Sequence, residues 1–343
     1  MPAITVAITT HNLEMYLQSC FAELAAQTFQ DFSVLLYDDC STDGTREVLE
    51  QLQLRWGDRL EVILGEVPQK MPARSRNRIL SSGKVTGKYI IFLDGDDSLE
   101  PDFLMQLYLA AEEAEADVAI CAYDRVEEES GHVLCREMQG FPQVCDLGEE
   151  NSVNLAFLNT ALWNKLIRRD RIGNLRMPDF PVGEDAAFLL AIYSGCKTLA
   201  FVDQILIHYR VRATSVISNT PEESIYAFAA ELHRLWSMTG DSWMKDNVGL
   251  AAFIHIGISM PIRGYHNPNV DIGRLLSWIE NYFGEAFNWL RGNRYMRVCY
   301  LARQGVKGLG ILTAYWFHRL HCFRLFLAAY EAMTRILHME VKF

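Results

Sequence analysis

The first 125 residues alternate between segments with the hydrophobic pattern of strands and segments with that of helices. The run FSVLLYDD, residues 32–39, is almost continuously apolar, which is typical of a central parallel strand covered on both faces. The preceding segment EMYLQSCFAELAAQ, residues 14–27, repeats its apolar residues at helical spacing. This alternation predicts repeated βαβ units, and therefore an α/β fold with a mostly parallel sheet flanked by helices.

The pattern changes twice further along the chain. Residues 126–150 are rich in polar turn formers, and residues 151–215 mix helical segments with short strands. From Pro221 onward no segment has the pattern of a strand, and the remainder is typical of aromatic-rich helices. We therefore predict a first domain over residues 1–218 and a mostly helical C-terminal region over residues 219–343.

Charge is distributed unevenly between these regions. The whole chain has a net charge of −11, but from Arg291 to the end there are nine Lys/Arg and two Asp/Glu. That excess of +7 leaves −18 for the first 290 residues. The asymmetry predicts two regions with different partners, and no nucleic-acid partner is expected.

The cysteines and the N-terminal sequence bear on the cellular compartment. The eight cysteines are scattered singly without a CxxC pair, which favours reduced thiols over a disulfide framework or a zinc site. The opening residues MPAITVAITTHN lack the basic and long apolar parts of a secretory signal, and no run of about 18 uncharged apolar residues occurs. We expect a cytoplasmic protein.

Three carboxylates, Asp94, Asp96 and Asp97, fall within four positions directly after the apolar run IIFL. Like charges this close repel, so a compensating positive charge is expected. Hard carboxylate oxygens suit Mg²⁺ or Mn²⁺. A calcium loop of the EF-hand type is excluded, because Leu99 and Met105 occupy the positions that require Gly and Glu. A solvated acidic turn that caps a helix remains the alternative.

Other charged groups are expected near these carboxylates. Asp38 and Asp39 also follow a predicted strand, and in an open parallel sheet both acidic sets lie at the carboxyl ends of strands, where ligands bind. Arg76 lies on the helix before the acidic strand, and its guanidinium suits diphosphate oxygens. Glu184 and Asp185 directly precede an apolar helix, where they either complement the helix dipole or supply a general base.

Several stretches in order resemble the family 2 glycosyltransferases, which are inverting, nucleotide-sugar-dependent enzymes of the GT-A fold. The resemblance covers about residues 3–218 and departs at Ile79, where the family often has Gly, and at Ser215-Val216, where Ser-Ile is usual. It implies a Rossmann-like, mostly parallel sheet. The stretches are VAITTHN, LAAQTFQDFSVLLYDDCSTDGT, SRNRIL with GKYIIFLDGDD, LWNKLIRRD, GEDAAF and YRVRATSVISN.

The resemblance also implies roles for individual residues. Thr9 and Asp39 would contact the nucleobase, and Arg76 would lie near the base or the diphosphate. Asp96 would lie against the ribose or the metal, Asp97 would bind the Mn²⁺ or Mg²⁺ directly, and Asp94 would support them.

At the reacting centre, the resemblance makes Asp185 the catalytic base, with Glu184 as the second choice. Asp94 and five further residues are candidate contacts to the diphosphate or the acceptor. For two of the five, a buried tryptophan in the core and an ordinary strand edge are equally simple interpretations. The five are Asn77, Trp163, Lys165, His208 and Arg210.

These assignments predict an inverting transferase that moves a sugar from a nucleotide-diphosphate donor, by resemblance a UDP-sugar, to a glycan or lipid-linked glycan. Bacterial polysaccharide or cell-surface glycan synthesis is the expected setting. A non-catalytic sugar-nucleotide-binding scaffold is the alternative, but such a copy is expected to lose Asp39, Asp97 or Asp185. A nucleotidyltransferase ranks third, because TTHNLEMY lacks a glycine-rich phosphate loop.

The C-terminal segment GILTAYWFHRLHCFRLFLAAYEAMTRILHMEVKF is basic and aromatic-rich. Such a helix can lie in a membrane interface, which would make the protein peripheral on the inner face of the membrane. Alternatively, it is an amphipathic helix that packs on the first domain or on a second subunit of a homo-oligomer.

Overall fold

The computed structural model describes residues 1–148, 153–211, 221–240, 242–265, 267, 269–286, 290 and 292–337. The chain divides into two compact units. One comprises Met1–Val153 and Asn159–Ser215, and the other comprises Asn154–Leu158 and Val216–Phe343.

The first unit is an α/β structure with ten strands and six helices in its described residues. The strands are β1 (Ile4–Thr10), β2 (Phe32–Asp38), β3 (Leu60–Leu64), β4 (Tyr89–Asp94), β5 (Ser98–Leu99), β6 (Val118–Glu127), β7 (Val133–Glu137), β8 (Val144–Asp146), β9 (Lys165–Arg168) and β10 (Thr198–Val211). The helices are α1 (Glu14–Ala25), α2 (Thr45–Trp56), α3 (Pro72–Ser81), α4 (Phe103–Glu113), α5 (Arg169–Ile172) and α6 (Glu184–Tyr193).

The ten strands form one sheet in the order β3-β2-β1-β4-β9-β6-β10-β5, with β7 on β6 and β8 on β10. β1 pairs in parallel with β2 and β4, β2 pairs in parallel with β3, and β6 pairs in parallel with β10. Because β9 is antiparallel to both β4 and β6, those two strands share one direction. Six strands therefore run the same way, and the predicted mostly parallel sheet is confirmed.

The central strands have apolar sequences because nearly all of their residues are buried. Six of the seven residues of β1 and five of the six residues of β4 are buried. Helix α1 buries Leu17, Cys20, Phe21 and Leu24, which are spaced to lie on one helix face. The hydrophobic residues thus switch between strand and helix spacing along the sequence because the chain passes alternately through the sheet and the helices that cover it.

The second unit is helical, and its described residues from 221 to 337 contain no strand. Its helices are α7 (Glu222–Met238), α8 (Ser242–Ala252), α9 (Met260–Tyr265), α10 (Ile272–Asn281), α11 (Val298–Arg303), α12 (Gly305–Arg319) and α13 (Phe323–Leu337).

A π-helix, Phe253–Ser259, joins α8 to α9 in one helical run, Ser242–Tyr265. By length and composition alone this run could cross a membrane, although the sequence analysis predicted no membrane-spanning helix. However, 78% of its most apolar window is buried. Such burial is typical of the central helix of a helical domain.

Candidate active site

The strand register brings the two acidic sets to one edge of the sheet. Thr10 of β1 pairs with Asp38 of β2, and Thr9 pairs with Asp94 of β4. The backbone N–H of Asp39 donates to the Thr10 carbonyl at 2.8 Å. The carboxyl ends of β2, β1 and β4 are therefore adjacent, which is where open parallel sheets bind ligands.

Asp39 is buried and its carboxylate is fixed by backbone donors. The N–H groups of Gln69 and Lys70 donate to its two oxygens at 2.6 and 3.0 Å, and the His11 ring contacts its carbonyl at 2.8 Å. A carboxylate oxygen has more than one lone pair, so a nucleobase N–H would share this carboxylate with the two amides. Asp39 thus ties the loop before α3 to the end of β2.

Asp38 has a different environment. It is fully buried, accepts hydrogen bonds from the Ser41 backbone and hydroxyl, and pairs with Arg46 at 3.1 Å. These partners fold the turn after β2, so Asp38 serves the turn.

Arg76 connects the acidic turn after β4 to the start of α6. Its side chain is 6% exposed, and it donates to Asp94 Oδ1 at 2.9 Å and to Asp185 Oδ1 at 2.8 Å. Burial alone would lower the pKa of Arg76, but Asp185 and Asp94 more than offset it, so that its pKa is raised. A permanently charged guanidinium is therefore held between the predicted metal motif and the predicted base.

Glu184 and Asp185 form the first turn of α6. The preceding Gly183 has φ = 90°, a left-handed conformation that favours glycine. Burial raises the pKa of Asp185, and Arg76 acts in the opposite direction. Burial, and then the charge of Asp185, raise the pKa of Glu184 to about 8. Both carboxyl groups are therefore protonated more readily than ordinary carboxyls, and at Asp185 the charge of Arg76 opposes this effect.

The turn after β4 places its carboxylates differently. Asp97 is buried, Asp96 is partly exposed, and the Asp97 N–H donates to the Asp94 carbonyl at 3.3 Å. No group of three or more His, Cys, Asp or Glu side chains among the described residues could hold a metal ion by itself. The donor set therefore fits Mg²⁺ or Mn²⁺ bound by one or two carboxylates and completed by phosphate oxygens, as is usual for Mg²⁺, and does not fit an all-protein cage.

Helix α3 also positions the loop that leads to α6. The Asn77 amide donates to the Met177 carbonyl and accepts from the Met177 N–H, each at 2.9 Å. Arg74 pairs with Asp179 at 2.5 Å on the surface. The contact of Asn77 to diphosphate or acceptor remains a prediction, and both ends of its amide already bind this loop.

Lys165 is fully buried at the start of β9. Its amine donates to Asn159 Oδ1 at 2.6 Å, to the Ala161 carbonyl at 2.7 Å and to Asn164 Oδ1 at 2.8 Å. Burial lowers its pKa to about 7, although Cys121 and Asp185 oppose the effect. In the structure Lys165 therefore closes the loop 159–164 rather than lying on the surface.

Trp163, on that loop, is buried in an aromatic cluster. Its ring stacks on Tyr209 with a centroid distance of 5.4 Å and an interplanar angle of 11°, and it meets the edge of Tyr123 at 4.6 Å. The Arg125 guanidinium lies 5.7 Å from the Tyr209 ring centre. Tyr209 and Arg125 are the more exposed members of this cluster, and an acceptor contact of Trp163 remains a prediction.

His208 and Arg210 lie on β10. The His208 ring contacts Asp124 Oδ1 at 2.6 Å and Glu100 Oε1 at 2.9 Å, so both of its nitrogens have carboxylate partners. Burial lowers the pKa of His208, but Glu100 and Asp124 outweigh it and the pKa is raised. Arg210 Nε is buried without a hydrogen-bond partner among the described residues. The rest of the predicted YRVRATSVISN motif, beyond Val211, lies outside the described residues.

Sequence reasoning missed three partners at this site: Asp124 and Glu100 of His208, and Arg125 beside Tyr209. The contact with Glu100 depends on the pairing of β5, which ends just before Glu100, with β10. The other two depend on the pairing of β6 with β10, which sets Asp124 opposite His208 and Arg125 opposite Tyr209. These strands are about 80 residues apart in the chain, and no local pattern predicts that they pair.

The sequence profile described as Glycosyl transferase family 2 matches residues 5–170. EpsH of Bacillus subtilis (strain 168) is 28% identical over 225 residues, which are 63% of this chain and 63% of EpsH. The chain thus matches less than two thirds of that relative. Together with the fold, these findings support a glycosyltransferase of family 2, as the sequence motifs predicted.

Solved structures share the fold. Staphylococcus aureus TarS 1–349 superposes with a TM-score of 0.66 at 19% identity, covering 96% of this chain and 91% of that one. A structure of the same fragment in complex with UDP gives a TM-score of 0.58 at 18% identity, covering 97% of this chain and 91% of that one. The mannosyltransferase PcManGT of Pyrobaculum calidifontis, in complex with GDP-Man and Mn²⁺, gives 0.52 at 12% identity, covering 92% of this chain and 87% of that one. The predicted GT-A type of α/β fold is confirmed.

Proposed function

We propose that this protein transfers a sugar from a nucleotide-diphosphate donor, a UDP-sugar, to a hydroxyl of a glycan or lipid-linked glycan, with inversion at the anomeric carbon. The observation that carries the proposal is the bridge from Arg76 to Asp94 and Asp185. It sets a candidate proton acceptor, a fixed cation and the acidic turn of β4 within one connected group.

The donor would bind at the carboxyl ends of β1, β2 and β4. Thr9 and Asp39 would contact the nucleobase, and Asp96 the ribose. The UDP complex of TarS, a protein of the same fold, supports a UDP donor. Arg76, already charged and buried, would stabilise the negative charge that develops on the leaving diphosphate.

A bound Mn²⁺ or Mg²⁺, held by Asp97 with Asp96 and supported by Asp94, would supply further stabilisation of that leaving group. The Mn²⁺ in the PcManGT complex supports a divalent ion in this fold. The partial exposure of Asp96 leaves room for phosphate oxygens beside the carboxylates.

Proton removal falls to Asp185. A sugar hydroxyl keeps its proton at neutral pH, so a carboxylate that takes this proton as the bond forms lowers the barrier. The acceptor oxygen bonds to the anomeric carbon, the bond from that carbon to the diphosphate oxygen breaks, and the proton passes to Asp185. One displacement from the opposite face inverts the configuration. Glu184, with its raised pKa, would hold a neighbouring proton.

We further propose that the acceptor belongs to a bacterial polysaccharide or cell-surface glycan and that the reaction takes place on the cytoplasmic side of the membrane. Sugar nucleotides are the required donors, and the reduced state expected for the scattered cysteines agrees with that compartment.

A screen of nucleotide sugars for hydrolysis and transfer tests the proposal, with Mn²⁺, Mg²⁺ or EDTA. We expect turnover of a UDP-sugar that EDTA abolishes. Asp97→Ala should lose metal-dependent UDP binding, whereas Asp31→Ala, at an exposed aspartate just before the amino end of β2, should retain it. Metal-dependent binding without hydrolysis or transfer would contradict an enzyme and support a non-catalytic scaffold.

A further inference from the structure

The helical unit carries an exposed apolar stripe along α12. Val306, Leu309, Trp316 and Leu320 are each between 51% and 69% exposed. With the exposed Thr313 they recur at intervals of three and four residues, so they lie on one face of the helix. Single exposed apolar residues are ordinary, but a row of them along one helix face is a candidate contact surface.

The opposite face of α12 is already packed. Gly308, Ile311 and Ala314 are buried, and the buried His318 ring contacts the Gly257 carbonyl at 2.7 Å. The exposed stripe is therefore not the face with which α12 packs into the helical unit. It is a second apolar face.

A second stripe begins just after the turn that ends α12. On α13, Leu325 and Ile336 are 64% and 74% exposed, and the exposed Ala329 and Ala332 lie between them at the same helical spacing. We name the exposed residues of these two stripes the α12–α13 stripes.

The positive charge of the segment that carries the α12–α13 stripes indicates what kind of surface they bind. From Val298 to Leu337 there are five Lys/Arg and a single acid, Glu331, in a chain whose net charge is −11. Two copies of this basic segment would repel each other, whereas an anionic bilayer surface would attract it. The acidic remainder of the chain is repelled by the same surface, so the electrostatic field also orients the protein.

We propose that the α12–α13 stripes dock this protein onto an anionic membrane surface, with the apolar side chains at the boundary between headgroups and acyl chains. Trp316 suits that depth because its ring is apolar and its N–H is polar. Arg319, at the end of α12, would keep its charge at the headgroups while its stem covers apolar surface. The proposal extends the proposed function and does not depend on catalysis.

Vesicle flotation of the full chain tests the proposal. At about 0.1 M salt we expect the wild type to float with phosphatidylcholine vesicles that contain about 30% phosphatidylglycerol, and not with pure phosphatidylcholine. The triple variant Leu309→Ser, Trp316→Ser, Leu320→Ser should lose at least tenfold in apparent affinity. Leu54→Ser with Val67→Ser, at apolar positions 89% and 66% exposed in the first unit, should bind as the wild type does.

A charge variant, Arg303→Gln with Arg319→Gln, should bind the anionic vesicles more weakly and respond less to added salt. Since all substituted side chains are exposed or partly exposed, unchanged circular dichroism and melting temperature should accompany each variant. Failure of the wild type to float, or equal flotation of the triple variant, overturns the proposal. A third outcome also overturns it: the wild type is a dimer by light scattering, and the triple variant is a monomer that floats as the wild type does. The stripes would then be an interface between copies.

Discussion

One guanidinium, that of Arg76, links Asp94 at the end of β4 to Asp185 at the start of α6. The two hydrogen bonds, of 2.9 and 2.8 Å, leave from different nitrogens of a side chain that is almost fully buried. The planar fork of arginine can bind two carboxylates at once, which a lysine ammonium cannot do with the same geometry. The predicted metal motif and the candidate base are thus electrostatically coupled before any substrate binds.

Asp185→Asn should bind the donor sugar nucleotide with unchanged affinity and transfer sugar at least about 100-fold more slowly, because the amide cannot accept the acceptor's proton. Calorimetric titration of the donor and initial transfer rates measure the two effects. Asp179→Asn, which alters an exposed carboxylate paired with Arg74, is the matched control. A turnover of Asp185→Asn equal to that of the wild type would reassign the base.

Arg76→Gln should move the acidic limb of the pH profile of kcat/KM upward, since Arg76 lowers the pKa of Asp185 and the reaction needs that carboxylate ionised. Loss of the buried partner of two carboxylates should also cost about 3 kcal/mol in the free energy of unfolding. Arg76→Lys should give a smaller shift.

The control for this prediction is Arg74→Gln on the same helix, whose ion pair lies on the surface and whose loss should change neither the profile nor the stability measurably. If the pH profiles of kcat/KM for Arg76→Gln and the wild type coincide, Arg76 does not lower the pKa of Asp185.

Glu184 should make stability fall as pH rises from weakly acidic values to about 8. Burial and the charge of Asp185 raise its pKa in the folded chain to about 8, so its contribution is fully present below its ordinary pKa of 4.5, is lost progressively as pH rises to about 8, and changes no further above that. Urea unfolding between about pH 5 and 8 should therefore show a smaller decline for Glu184→Gln than for the wild type. Glu50→Gln, at an exposed position on α2, should follow the wild type. Parallel declines in all three proteins would refute this origin.

His208 should also make stability fall as pH rises. Its partners Glu100 and Asp124 raise its pKa above the ordinary value despite burial, so its stabilising charge is fully present below about pH 6.5 and is lost as pH rises past the raised pKa. His208→Gln should thus destabilise the protein more at about pH 5.5 than at about pH 8.5. Chemical denaturation at both values measures this, with the exposed His132→Gln as control. An equal loss at both values would mean that the ring serves only as a neutral hydrogen-bonding group.

The sequence predicted the sheet where local periodicity specifies it. β1, β2 and β4 have the hydrophobic pattern of buried strands, β2 and β4 end in acids, and the parallel pairing of the three follows from the βαβ alternation. The reversed strand β9 could not be predicted in this way, because its four residues, Lys165–Arg168, carry two charged side chains and one of them is buried through three hydrogen bonds to the loop before it.

The site shows the same division. Motif order was enough to nominate Arg76, Asp94 and Asp185, since each stands beside a recognisable strand or helix end. The contact of Arg76 with Asp185, the hydrogen bonds of Asn77 to Met177 and the carboxylates around His208 depend on residues about 80 to 110 positions apart. Such contacts are set by the packing of whole elements, which a single sequence does not display.

The bridge from Arg76 to Asp185 spans 109 positions, and the clamp of Asn77 on Met177 spans 100. A nascent chain that has left the ribosome only as far as residue 170 carries the whole segment that matches the family profile, yet it lacks the second carboxylate for Arg76 and the loop that Asn77 grips. The candidate active site is therefore completed late in synthesis, when α6 emerges, and a protein released early would hold the acidic turn without its proposed proton acceptor.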